Sequence, residues 1–279
     1  MEKISVIMPC YNDGKYIMEA IDSIEKQTYQ NWELIIVDDG SDDDETKRII
    51  NEIRNPKIKV FHTEHLRPAG ARNYGIQQAE GKYILPVDSD DRIHEEYMEK
   101  AVNKLESNLQ IGVVYCKAEL FGEKSGPWDL PDYSFEKMLL DNIVFVTALF
   151  YKSDWEKVGG FNTSMAQGME DYDFWLSILG LGREIYQIPE VLFFYRIKPI
   201  SRTTNFQDNC AQVQSTYQQI YYNHKEFYQN HYDEYALTLR DALIEQIFIR
   251  RKYEERLEKI SKIASYPVIG KILRKLVKE

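Results

Sequence analysis

"SVIMPCYNDGKYIMEAIDSIEKQTYQNWELIIVDDGS", Ser5 to Ser41, decides the fold. With Ile4 in front, "ISVIMP" is a short apolar run rich in β-branched residues. "GKYIMEAIDSIEKQ" then places Ile17, Ala20, Ile21 and Ile24 on one helical face, and "WELIIVDDGS" is apolar again. Apolar strands without alternation are covered on both faces, and an amphipathic helix between two of them is the crossover of a parallel pair.

The same unit repeats downstream. "DETKRIINEI" reads as a helix, "IKVFH" as a strand, "AGARNYGIQQA" as a helix and "KYILPV" as a strand. The spacing predicts a mostly parallel sheet flanked by helices, with ligands beyond the carboxyl ends of the strands. Pro86 cannot donate to a ladder and marks the point where the last of these strands leaves the sheet. Beyond it the pattern predicts a helix over 95–107, a strand over 112–120, a turn-rich stretch "GEKSGPWDLPDY" and a strand over 144–152. A short helix capped by Ser153 follows, then an amphipathic helix from Glu170 and two strands, "EIYQIP" and "VLFFYRI". From about Phe206 strand signals cease and the chain reads as helical.

The 279 residues carry a formal net charge of -10, which argues against nucleic-acid binding. The last thirty residues, from Arg250, are +6 and the first 249 are -16, so the tail is a separate electrostatic object. Cys10, Cys116 and Cys210 form no metal or redox spacing and read as thiols in a reducing compartment. No basic leader segment and no apolar run of about 18 residues is present. The expected location is the cytoplasm, or the cytoplasmic face of a membrane.

"GKYILPVDSDDR" crowds Asp88, Asp90 and Asp91 at the tip of an apolar strand. Two like charges 4 Å apart repel by about 1 kcal/mol in water and about 4 kcal/mol near a protein surface. A solvated turn tolerates the cluster, whereas a cleft tolerates it only with a cation. The other reading is an acidic turn, with Asp91 capping the helix that follows. "VDDGSDD" sets Asp38 and Asp39 at the end of the second strand, where an Asp-Gly turn alone would account for them. "MEDYDFW" opens a helix with Glu170 and Asp171, where the helix dipole favours negative charge.

Together, "SVIMPCYNDGKYIMEAIDSIEKQTYQNWELIIVDDGSDDDET", "AGARNYGIQQAEGKYILPVDSDD", "VGGFNTSMAQGMEDYDFWLSIL" and "FYRIKPISR" resemble the family 2 glycosyltransferases of GT-A fold, over roughly residues 4 to 205. The resemblance implies a GT-A catalytic domain over 1–205 and a helical segment over 206–279. It also implies inverting transfer of a sugar from a nucleotide-diphosphate donor, usually a UDP-sugar; with no bilayer-spanning run and no Gln-x-x-Arg-Trp motif, addition of a single sugar to a glycan or lipid-linked acceptor is expected. On the residues, it implies that Asp39 accepts the N3–H of uracil and that Pro9, Tyr11 and Arg72 line the nucleotide. Asp90, with Asp88 beside it, holds Mn²⁺ or Mg²⁺, hard ions that favour carboxylate and phosphate oxygens. Asp171 is the general base and Glu170 orients acceptor or metal shell. Asp173 and Trp175 read as structural or acceptor-side.

The sequence departs from the family at Lys198, where many members carry a histidine. An ammonium cannot ligate a metal, but Lys198 can offset diphosphate charge, alone or with Arg196 and Arg202. That departure keeps a rival open: a catalytically inactive nucleotide-sugar-binding protein of the same fold. The tail also has two readings. Ile269, Ile272, Leu273, Leu276 and Val277 share one helical face, which suits either a peripheral membrane contact through 266–279 or packing on the protein or in a homodimer.

Overall fold

The computed structural model describes residues 2–199 and 209–264, so Arg202 and the tail from 266 lie outside the described residues. The chain divides into two compact units, Met1–Asn230 and His231–Glu279.

The first unit opens as the sequence predicts. Strands β1 (Ile4–Cys10), β2 (Trp32–Asp38), β3 (Ile58–His62) and β4 (Tyr83–Pro86) pair in parallel in the order β3-β2-β1-β4. Helices α1 (Gly14–Glu25), α2 (Asp44–Glu52) and α3 (Arg67–Gln78) are the crossovers. Ile4, Val6, Ile7 and Met8 are all fully buried, as a two-sided strand requires. Strand β4 ends at Pro86, level with Ile7. Gly75 lets α3 lie close on this sheet: a Cβ there would stand 2.8 Å from Ile7 Cγ2 and 3.1 Å from Val37 Cγ2. That close approach fixes Arg72, one turn earlier.

The other half of the sheet is mixed rather than parallel. Strand β5 (Arg92–Ile93) and helix α4 (Tyr97–Ser107) follow the acidic motif, then β6 (Ile111–Gly122), β7 (Gly126–Pro127) and helix α5 (Phe135–Met138). Strand β8 (Leu149–Tyr151) runs antiparallel to both β4 and β6 and joins the halves. It is shorter than the run 144–152, because the backbone before it bonds elsewhere. Trp175 Nε1 donates to the Val144 carbonyl, the Tyr97 hydroxyl donates to that of Thr147, and Ala148 N closes a tight turn onto Val146. Helix α6 (Lys152–Val158) begins one residue before Ser153, which therefore does not cap it. Helix α7 is Glu170–Gly180, and the two predicted last strands are one, β9 (Glu184–Ile197), parallel to β6 with bulges. The nine strands among the described residues form one sheet.

Helices α8 (Cys210–Asn223) and α9 (Lys225–Asn230) complete this unit. Asp173 ties α7 to the end of α8, accepting from Asn223 Nδ2 at 2.7 Å with His224 Nε2 at 3.1 Å. Asp173 and Trp175 are both buried and structural. The second unit contains α10 (Tyr232–Ala264), a single helix of 33 residues. No helix among the described residues is long and apolar enough to cross a membrane.

Candidate active site

The carboxyl ends of β1, β2 and β4 open into a cleft of about 330 Å³ lined by Pro9, Tyr11, Asp13, Asp39, Asp88, Asp90 and Lys198. A second hollow, of about 210 Å³, adjoins it and shares Arg72, Asp88 and Tyr195. Its walls carry Glu170 and Asp171 on one side and Trp128, Phe145 and Phe193 on the other.

Asp39 is buried and already engaged. Its Oδ1 accepts from Leu66 N at 2.6 Å and Thr63 Oγ1 at 2.8 Å, and its Oδ2 from Arg67 N at 2.7 Å. His65 and Arg67 hold φ of 55° and 64°, a left-handed conformation that a non-glycine residue adopts at a cost. Asp39 thus braces a strained loop from beneath, and its neighbour Asp38 caps Ser41 N and meets His62 Nδ1. Tyr11 is 44% exposed and packs edge-on against His65 of that loop, at 4.8 Å between ring centres.

Arg72 lines both hollows and is already paired. It is buried, donating from Nη2 to Asp88 Oδ1 at 2.8 Å and from Nη1 to Glu170 Oε1 at 2.9 Å. Burial acts to lower its pKa, but the two carboxylates outweigh burial and hold it above the ordinary value. Glu170 is as buried as Arg72, and their contact ties α7 to α3 at the wall of the second hollow.

Asp90 faces a cation supplied by the chain. Lys198 Nζ lies 2.6 Å from Asp90 Oδ2 and 2.7 Å from Asp13 Oδ1, while Ser89 Oγ donates to Asp13 Oδ2. Burial raises the Asp90 pKa, with Asp13 and Asp88 adding to the rise and Lys198 opposing it. Asp91 is not a helix cap. It is buried and accepts from Arg196 N of β9 at 2.8 Å, and α4 starts only at Tyr97. Burial pushes its pKa well up, and Asp90 and Asp88 push it further.

Asp171 stands in the first turn of α7, two residues after Met169, whose φ is 65°. Its Oδ1 accepts from Tyr172 N at 2.9 Å. Burial and then the Glu170 charge raise its pKa to about 6, against the opposing pull of Arg72 and the Asn142 amide. A carboxyl poised near neutrality inside a cleft is suited to accept a proton.

Among the described residues, Asp88 and Asp90 each have one carboxylate oxygen with no hydrogen bond, at the mouth of a cleft where burial and the neighbouring Asp13 and Asp88 charges weigh on Asp90. That donor set fits a hard divalent ion. Among the described residues no three His, Cys, Asp or Glu side chains close on one point. A cation there would draw its remaining ligands from a bound diphosphate.

Asp13, Ser89, Asn142, Trp128 and Tyr195 were not singled out from sequence. Asp13 follows the end of β1, and the rule that loops after parallel strands line the site would have found it. Trp128 rests on Tyr195 (ring centres 4.6 Å apart) and Phe145 (5.9 Å), a platform formed only when the loop after β7 returns over β9.

An α/β sheet of this order, with acidic motifs at the strand ends and a helical appendage, is of the GT-A type. The profile of the family "Glycosyl transferase family 2" matches residues 5–155, and the chain belongs to that family. A Rickettsia typhi protein named an uncharacterized glycosyltransferase is 34% identical over 72% of this chain and 66% of its own length. The glycosyltransferase GlyG of Streptococcus pneumoniae is 36% identical over 58% of this chain and 53% of its own. The crystal structure of S. aureus TarS in complex with UDP-GlcNAc superposes with a TM-score of 0.61 at 26% identity, covering 72% of this chain and 60% of that one. The chain thus spans less than two thirds of the length of these relatives.

Proposed function

We propose that the chain is an inverting glycosyltransferase. It transfers one sugar from a UDP-sugar to a hydroxyl of a glycan or lipid-linked glycan, in surface polysaccharide or glycoconjugate synthesis. The carrying observation is the meeting of two clefts at Arg72 and Asp88, one lined by the strand-end motifs and the other bearing Asp171 with its raised pKa. The likeness to a UDP-GlcNAc-bound neighbour supports the choice of donor.

In this reading the nucleotide lies in the first cleft, with Tyr11 against the base and the Asp39-braced loop shaping its pocket. Asp90 and Asp88 would hold Mn²⁺ or Mg²⁺, and such an ion would supply positive charge against the diphosphate. Lys198 adds a second positive charge beside it. The acceptor sugar stacks its apolar face on Trp128 in the second cleft. Asp171 takes the proton from the attacking hydroxyl as the new bond forms at the anomeric carbon, and the UDP oxygen leaves with the bond electrons.

Purified protein is to be screened for thermal stabilisation by nucleotide sugars with and without Mn²⁺, then assayed for sugar transfer or donor hydrolysis. UDP-sugar stabilisation with turnover lost in Asp171→Asn is the expected result. Donor binding with no turnover towards water or any glycan would instead favour an inactive nucleotide-sugar-binding protein.

A further inference from the structure

Helix α10 spans 33 residues, about 50 Å at 1.5 Å per residue. No residue from Tyr232 to Lys262 is buried, and Leu239, Leu243, Ile247, Tyr253, Leu257 and Ile260 are between 41% and 64% exposed. Helices gain most of their stability from a packed face, so so much uncovered apolar surface calls for a partner. With Ala236 as the first core position of a heptad, the seam reads Ala236, Leu239, Leu243, Gln246, Arg250, Tyr253, Leu257, Ile260. Its only polar positions are consecutive and central.

We propose that α10 pairs with the α10 of a second copy, antiparallel, about a two-fold axis level with Phe248. In that register Leu239 meets the partner's Leu257, and Leu243 meets the partner's Tyr253. Ala236 likewise meets the partner's Ile260. Gln246 falls against the partner's Arg250, where the amide oxygen accepts from the guanidinium, so the two polar seam positions satisfy each other. A parallel pair would set Arg250 against its own copy instead, a like-charge contact at the core. The seam's flanks agree. Arg240 faces the partner's Glu254, and Ile247 and Ile249 each meet their own copies beside the axis, adding apolar contact where the seam is polar.

The charge along the helix points the same way. Residues 232–245 carry Asp233, Glu234, Asp241 and Glu245 against Arg240, a net -3. Residues 250–262 carry six Lys or Arg against Glu254, Glu255 and Glu258, a net +3. Antiparallel pairing sets each half against its complement, in the closed, self-complementary arrangement of a two-fold dimer. An acidic first half does not suit a helix lying on anionic lipid, whose polar face is basic.

The test is sedimentation velocity of the full chain at micromolar concentration, with circular dichroism to confirm folding. A dimer of the 33.0 kDa chain is expected. Leu243→Glu in the seam should raise the dimer dissociation constant at least tenfold, whereas Phe248→Glu, equally exposed but off the seam, should leave it unchanged. Orientation is read in a Cys210→Ser background, since Cys10 and Cys116 are buried. Chains with Leu239→Cys should form a disulfide with chains bearing Leu257→Cys and not with one another. A monomeric chain, equal loss of dimer in both glutamate variants, or self-crosslinking through residue 239 would each overturn the proposal. So would a chain that is monomeric in solution and floats with anionic vesicles.

Discussion

Replacing Arg72 with methionine tests whether this arginine serves the donor or the fold. Its guanidinium and the Glu170 carboxylate are each only 3% exposed at the side chain, and they bond at 2.9 Å. Removing one member of a buried pair leaves the other charge without its counter-ion, at a cost of about 3–5 kcal/mol. For a chain of this size that corresponds to a fall in melting temperature of roughly 6–20 °C. The measure is urea unfolding followed by tryptophan fluorescence. Adding Glu170→Gln should recover much of the loss, because the orphaned buried charge is then gone and only the half-exposed Asp88 still lacks its partner. A loss under about 1 kcal/mol in Arg72→Met, joined to a large fall in UDP affinity, would refute the bridging role and return Arg72 to the nucleotide.

Asp171 has its pKa raised to about 6, and a base works only when ionised, so kcat/KM should fall about tenfold per pH unit below that value and level off above it. Asp171→Asn should cut turnover by about 10²-fold or more, with donor affinity retained in calorimetry. Because the native state binds this proton more tightly than the unfolded chain does, stability attributable to Asp171 falls as pH rises from the ordinary carboxylate range through about 6; the asparagine variant should therefore be no less stable at pH 7. Asp90→Asn should abolish metal-dependent UDP binding, read by calorimetry with and without Mn²⁺. Gly75→Ala should destabilise the fold by roughly 1–3 kcal/mol, since its Cβ would meet two sheet side chains, as read by thermal melting.

The parallel half of the sheet was legible because its strands are short, mostly apolar runs that alternate with helix-length segments. The other half was less so. Residues 144–147 have strand composition, yet their carbonyls are claimed by Trp175 and Tyr97, partners distant in sequence. Asp91 shows the same limit: an acid ahead of a helix looks like a cap, and only β9 returning beside it shows the Arg196 amide it accepts. In the site, Asp88, Asp90 and Asp171 were marked by their places at a strand end and a helix start. Arg72 was marked through the family resemblance as a nucleotide-side residue, but which carboxylates it joins depends on where the start of α7 comes to lie, which spacing does not encode. Lys198 stood out only as a departure, and its two carboxylate partners come from loops some 100 and 185 positions earlier.

Those placements explain how two acids with the same side chain differ. Asp88 sits at a mouth open to solvent, and Arg72 holds one of its oxygens, leaving the other to face the cleft. Asp171 sits deeper, and Arg72 reaches only its neighbour Glu170, so burial and that neighbour's charge dominate and hold its pKa near 6. One buried guanidinium therefore fixes the spacing between a carboxylate suited to a cation and a carboxylate suited to a proton. A change that moves Arg72, whether at Gly75 beneath it or at Glu170 beside it, should disturb donor binding and proton transfer together. A change at Lys198 or Asn142 should disturb one without the other, because each touches only one side of that bridge.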